Sequence, residues 1–205
     1  APEVDGRPHE PALRTALTAL TARHESLRMN VHSVGGKPHV VVREPFDPLQ
    51  IRDLSALDAD ARAQSVNSLV SEHAARAFDL EHDPLLRLAL LNLDAQHQVL
   101  LLNMHHIVAD GWSLGVLVRD LGELYSAALQ GRQATLATPT LHYADYAAWQ
   151  REWLEGEVLE QQLAYWREQL AEAPVLLELP ADHPRPAVKS YQGAQLAVHI
   201  EPALV

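Results

Sequence analysis

The sequence predicts a mixed α/β fold of the α+β kind, with helices covering a largely antiparallel sheet. Three observations carry this. Leu27, Met29 and Val31 alternate ahead of Gly35-Gly36 and Val40-Val41-Val42, which is the pattern of a hairpin over Leu27–Arg43. Two apolar runs, Leu85–Leu93 and Val99–His105, are joined through the short polar stretch Asp94-Ala95-Gln96-His97 and Gln98, which predicts an antiparallel pair buried on both faces. Around these lie segments whose apolar residues recur at helical spacing.

Taken in order, Pro11 stands where a first helical turn tolerates it. Leu13, Ala16, Leu17 and Leu20 then predict an amphipathic helix from Ala12 to about Glu25. After the hairpin a short strand is expected near Leu49–Ile51, and an Ala-rich helix from Asp58 to about Phe78. Pro84 ends that region, and the buried strand pair follows. Ser113 is expected to cap a helix reaching about Gln130, with Leu114, Leu117, Leu121, Leu124 and Ala128 on one face. The connector Ala134–Thr140 leads to two more helices. Their spacing predicts core packing for Tyr146, Trp149, Trp153 and Trp166. LELPADHPRPAVKSYQG, Leu177–Gly193, reads as an ordered crossover or linker, and Gln195–Ile200 as a strand. The end in AVHIEPALV reads as an unfinished element, so the chain is expected to be a piece of a longer one.

Composition narrows the function. Against 16 Lys and Arg stand 27 Asp and Glu, a net charge of -11, and no basic stripe is interleaved with aromatics, so nucleic acid is not the expected partner. The absence of cysteine rules out disulfides, thiolate zinc sites and a cysteine nucleophile, and fits a reducing, cytoplasmic compartment. No apolar run approaches the roughly 20 residues of a membrane span, and APEVDGRPHEP holds no signal-peptide core.

The chemistry concentrates in MHHIVADGWSLGVLV, Met104–Val118. Consecutive strand residues face opposite sides, so if the strand holds to its end His105 and His106 cannot share one metal ion. No HExxH helix, zinc spacing or phosphate loop accompanies them. On a strand His106 would share an apolar face with Leu100, Leu102 and Met104, which favours the neutral imidazole a general base needs. Asp110 could pair with an arginine or orient an imidazole. Gly111 permits a tight bend and close backbone approach, and helix amides after Ser113 add positive potential. Spacing alone leaves both an acid–base role and a satisfied structural role open.

HHIVADG resembles the HHxxxDG motif of nonribosomal peptide synthetase condensation domains, relatives of chloramphenicol acetyltransferase. ARHESLRMNV, Ala22–Val31, resembles the family's RHExLRTxF segment. YADYAAWQREWL, Tyr143–Leu154, is similar to its YxDYAxWQ segment, and LPADHPRPAVKSYQG, Leu179–Gly193, to the stretch leading out of the first lobe. The four occur in the family's order and cover nearly the whole chain. One departure is Met29-Asn30-Val31 in place of Thr-x-Phe, expected to touch packing rather than chemistry.

The resemblance implies a chloramphenicol acetyltransferase-like lobe. Residues 1–175 would form the N-terminal lobe, and 176–205 the crossover and the start of a second lobe. It implies amide formation between two thioesters carried on the 4'-phosphopantetheine arms of upstream and downstream peptidyl carrier proteins, beside an adenylation domain, with no cofactor bound by the chain itself. The implied site is His106 as base or amine-positioning group, His105 in support, Asp110 as a structural carboxylate paired with an arginine such as Arg23, and Gly111 beside the thioester. Arg23, Arg28 and Trp112 support it. Trp112-Ser113 resembles the subtype joining an L-configured donor to an L-configured acceptor. Two competing functions are a stand-alone acyltransferase using coenzyme A thioesters and a non-catalytic carrier-protein interaction module.

Overall fold

A computed structural model describes residues 3–5, 7–188, 190, 193–194 and 196–201. The chain divides into two compact units, Ala1–Glu155 and Gly156–Val205.

In the first unit, strand β1 (Glu3–Asp5) precedes helix α1 (Glu10–Arg23), in which Pro11 sits at the helix start and the His9 side chain accepts from the Ala12 amide. A 3-10 turn over Glu25–Arg28 feeds the hairpin β2 (Met29–Val34) and β3 (Lys37–Val42). Gly35 and Gly36 join these strands at φ 58 and 76, the left-handed conformations that a tight hairpin turn needs and glycine adopts most readily. Strand β4 (Leu49–Asp53) and helix α2 (Ala59–Ala75), capped by Asp58, lead to β5 (Leu86–Asn92) and β6 (His97–Met104). Helices α3 (Gly111–Gln130) and α4 (Tyr143–Trp153) complete the unit.

The main sheet runs β1-β6-β5-β4, antiparallel except where β4 lies parallel to β5. Strands β6 and β5 are its inner strands; β5 is buried on both faces, as its apolar run predicts, whereas β6 leaves Leu102 exposed. Leu86, Leu88 and Leu90 face Leu13, Leu17 and Leu20 of α1 and Leu117 of α3. The alternate residues Ala89 and Leu91 join Leu54, Val99 and Leu101, with Val66 and Leu69 of α2 against them. Each fully buried leucine contributes roughly 1.5–3 kcal/mol. The α1–α3 layer therefore fixes the end of β6 and the start of α3, where the motif lies.

Several expectations are corrected. Strand β1 carries no apolar alternation and is defined by edge pairing with Val99, Gln98 and His97. Helix α3 is capped by Asp110 rather than Ser113. The α4 aromatics are not core: Tyr143, Tyr146, Trp149 and Trp153 are exposed and form a ladder with ring separations of 5.8, 5.7 and 5.5 Å.

The second unit holds helix α5 (Gly156–Gln169) and an irregular stretch beyond it. Trp166 is exposed there as well. Residues 196–200 form no strand, because among the described residues no neighbour pairs with their backbone; Gln195 lies outside the described residues.

Candidate functional site

Strand β6 stops at Met104, so the motif histidines stand in a turn and not on opposite faces of a strand. The Val108 amide donates to the His105 carbonyl at 3.1 Å and closes that turn, while the His105 amide donates to the Leu85 carbonyl at 3.0 Å and ties it to β5. Val108 points inward, packed with Met29 and Leu85, and His106 and Ile107 are turned outward.

The two imidazoles have different surroundings. His105 packs its ring edge-on against Phe78 at 5.8 Å, and Phe78 is itself covered by the Arg87 guanidinium at 3.8 Å. His105 Nδ1 accepts from the Ile107 amide at 3.1 Å. That bond requires Nδ1 to be unprotonated, which selects the tautomer with the proton on Nε2. His105 thus holds the turn. His106 is exposed, and its ring nitrogens make none of the hydrogen bonds among the described residues. The apolar face expected around it on a strand is replaced by the rim of a cleft.

Asp110 caps α3. Its Oδ1 accepts from the Ser113 amide at 2.8 Å and from the Ser113 hydroxyl at 2.6 Å, and Ser113 Oγ accepts from the Asp110 amide at 3.2 Å. The Ser113 hydroxyl and amide, aided by nearby His106, hold the Asp110 carboxyl below the usual carboxylate range. Gly111 opens the helix without a positive φ, and a Cβ there would meet nothing within 4 Å. The tight bend expected of it is absent, and its backbone is open to approach. Trp112, on the first turn of α3, is 86% exposed.

The expected pairing of Arg23 with Asp110 is not formed. Arg23 Nε donates to Asp120 Oδ2 at 2.9 Å, and His24 Nε2 lies 3.0 Å from the same oxygen. Arg119 adds a contact of 3.0 Å to Oδ1. The reason is positional: Asp110 is already satisfied by its cap, whereas Asp120 is 1% exposed on the buried face of α3, and a buried charge needs partners. Burial would push the Asp120 carboxyl up, but hydrogen bonds from Arg23, Arg119 and His24 outweigh it and hold it down. Burial keeps the His24 imidazole below its ordinary value, against the pull of Asp120. Arg28 is structural too, donating to the Thr21 carbonyl at 3.0 Å and to the Arg43 carbonyl, which staples α1 to the end of the hairpin.

Together these elements border a cleft of ≈ 310 Å³. His106, Asp110, Ser113 and Ser26 supply its polar side; Met29, Val31, Val40, Val108, Ala144 and Ala147 supply apolar walls. His142, at the start of α4, lies 3.7 Å from Glu25, which helps hold α4 beside the turn. Pattern reading found the histidines but not the cleft, since its apolar walls look like ordinary core residues in sequence. Asp120 did carry a signal, a carboxylate one turn from Leu117 and beside Leu121 on a core-facing helix. Among the described residues no group of three or more His, Asp or Glu side chains is placed to hold a metal ion.

The condensation domain family profile matches residues 2–205. The chain is 40% identical over 195 residues to malpinin synthetase of Mortierella alpina, covering 95% of this chain and 2% of that protein. It superposes on the X-domain in a complex of the X-domain and OxyB from teicoplanin biosynthesis with a TM-score of 0.79 and 32% identity, over 92% of this chain and 41% of that one. On the epimerization domain from the third module of tyrocidine synthetase B the TM-score is 0.70 at 28% identity, over 88% and 40%. The chain therefore spans a small part of the synthetase and less than half of each solved chain.

Proposed function

From the premise that this chain belongs to the condensation domain family of nonribosomal peptide synthetases, we propose that it supplies the histidine-bearing half of a site forming an amide between two carrier-bound thioesters. The observation that carries this is His106: an exposed imidazole with both nitrogens unengaged, at the polar rim of a cleft with apolar walls. Residues 1–175 then act as the first lobe and 176–205 as the crossover and the start of the second lobe.

The chemistry asked of the chain is modest. The acceptor's amine attacks the donor's thioester carbonyl; the C–N bond forms, the C–S bond breaks, and the donor arm leaves as a thiol. The proton lost by the amine passes to His106 and then to the leaving sulfur or to solvent. A thioester is already activated, and two tethered arms held at one cleft supply much of the rate by proximity. A positioned base adds roughly 10²–10⁴-fold. His105 and Asp110 position the turn that presents His106, and Gly111 leaves room for the thioester. Arg23 and Arg28 hold α1 beneath it. The substrates arrive on the 4'-phosphopantetheine arms of upstream and downstream carrier proteins beside an adenylation domain, and the chain itself needs no cofactor. Trp112-Ser113 supports an L-configured donor and acceptor. No helix among the described residues is long and apolar enough to cross a membrane, and the lack of cysteine supports a cytoplasmic setting.

The likeness to an X-domain seen in complex with OxyB favours one other reading, a lobe that only recruits partners. The deciding experiment mixes the full-length protein with a donor-loaded and an acceptor-loaded carrier and follows the product by mass spectrometry. Amide formation is expected. Carrier binding without amide supports recruitment, and amide formed only from an acyl-coenzyme A supports a stand-alone acyltransferase.

A further inference from the structure

We propose that the apolar half of the His106 cleft is a subsite for the aliphatic side chain of a carrier-bound amino acid, and that Met29, Val31 and Ala147 set the size it accepts. This rests on the amide-forming reading. Of the cleft's polar groups, His106, Asp110 and Ser113 are gathered on the turn and the first turn of α3, and Ser26 stands on the 3-10 turn ahead of the hairpin. The hairpin wall (Met29, Val31, Val40) and the α4 residues Ala144 and Ala147 carry no charge and no hydrogen-bonding side chain, and the Tyr143 hydroxyl is the polar side-chain group that α4 adds to the lining. A ligand whose reactive carbonyl or amine lies at His106 must therefore turn an uncharged, apolar substituent toward the hairpin.

The bottom of this half is rigid, since Met29 is 7% exposed and packs with Val108 and Leu85. Its α4 wall is built from Ala144, Ala147 and Tyr143, so beside the Tyr143 ring the space is bounded by backbone and methyl groups. The volume, ≈ 310 Å³, admits a leucine-sized group together with the adjoining thioester. Met29 and Val31 are also the two positions at which the RHESLRMNV segment departs from its family pattern, so the departure falls on the wall of this cleft and not on packing remote from it.

The chain's two methionines give a direct readout. Met29 lines the cleft, whereas Met104 packs against the α1–α3 core. With methyl-¹³C methionine, a leucyl-pantetheine amide is expected to move the Met29 signal and leave Met104 in place, and a glycyl-pantetheine amide to move neither. In the full-length protein, Val31→Phe should slow amide formation with leucine about tenfold or more relative to glycine. Ala147→Leu, at an exposed helix position, should act in the same direction without disturbing the fold. Loss confined to leucine in the donor series, or in the acceptor series, tells which substrate uses the subsite. Equal slowing of leucine and glycine, or a Met29 signal indifferent to the side chain, overturns the proposal. A Met29 shift that depends on the side chain, in a protein that makes no amide from any pair, upholds the subsite and refutes the reaction.

Discussion

His105 and His106 are neighbours in sequence with opposite environments. His105 is gripped by Phe78 and the Ile107 amide, while His106 is exposed on the cleft. Strand parity alone could not separate them, because the strand ends one residue earlier and a short turn does the sorting. The motif's place in the chain was legible in the sequence, but the partners of its charges were not. Asp110 caps a helix and Asp120 takes Arg23, and choosing between them requires knowing which face of α3 is buried. Gly111 yields a separable prediction. Since a Cβ would meet nothing, Gly111→Ala should leave the melting temperature unchanged or raise it, alanine being the better helix former. If a thioester passes its backbone, amide formation should nevertheless fall about tenfold or more, since small misplacements at a reacting centre cost that much. An unchanged rate would remove Gly111 from the site.

At the scale of elements, α1, α3 and the central strand pair were readable because their apolar periodicity matches what they bury. Strand β1 was not, since three residues without alternation are defined only by pairing with β6. The aromatic positions on α4 show the converse failure: helical spacing identifies a face but not whether anything covers it. The joint between α1 and α3 hangs on Asp120, where the carboxylate meets Arg23, His24 and Arg119. Asp120→Asn should cost about 3–5 kcal/mol in urea unfolding by leaving the largely buried Arg23 guanidinium without its counter-charge. A loss below about 1 kcal/mol would show the cluster to be dispensable. Both His24 and Asp120 titrate lower in the fold than in the unfolded chain, so the unfolded chain binds more protons and acid destabilises. The His24 contribution is whole above its ordinary value of 6.5 and fades as pH falls from there through its lowered value. The Asp120 contribution fades only below its ordinary 3.8. Stability should therefore decline as pH falls below the ordinary imidazole value of 6.5, with His73, likewise held down by burial, acting in the same direction, and His24→Gln should reduce that slope; an unaltered slope would exclude His24 as a source.

At the scale of the whole chain, the first unit's four-stranded sheet, with α1 and α3 on one face and α2 on the other, holds at the end of β6 the turn to which we assign the chemistry. The cleft is walled on the sides that the hairpin, the turn and α4 provide, and the chain covers 41% of the X-domain chain on which it superposes. Catalysis by proximity needs both carrier arms enclosed, so residues 1–205 alone are expected to give no amide where the full-length protein does. Turnover by the 205-residue chain would place the whole site within it. The central claim is that His106 takes part in bond formation, and single-turnover amide formation in the full-length protein tests it most directly. With both carriers loaded, His106→Ala should lower the rate by roughly 10²–10⁴-fold while carrier binding and melting temperature stay as in the unsubstituted protein. A rate within about twofold of the unsubstituted protein, against that 10²–10⁴-fold expectation, would contradict the account.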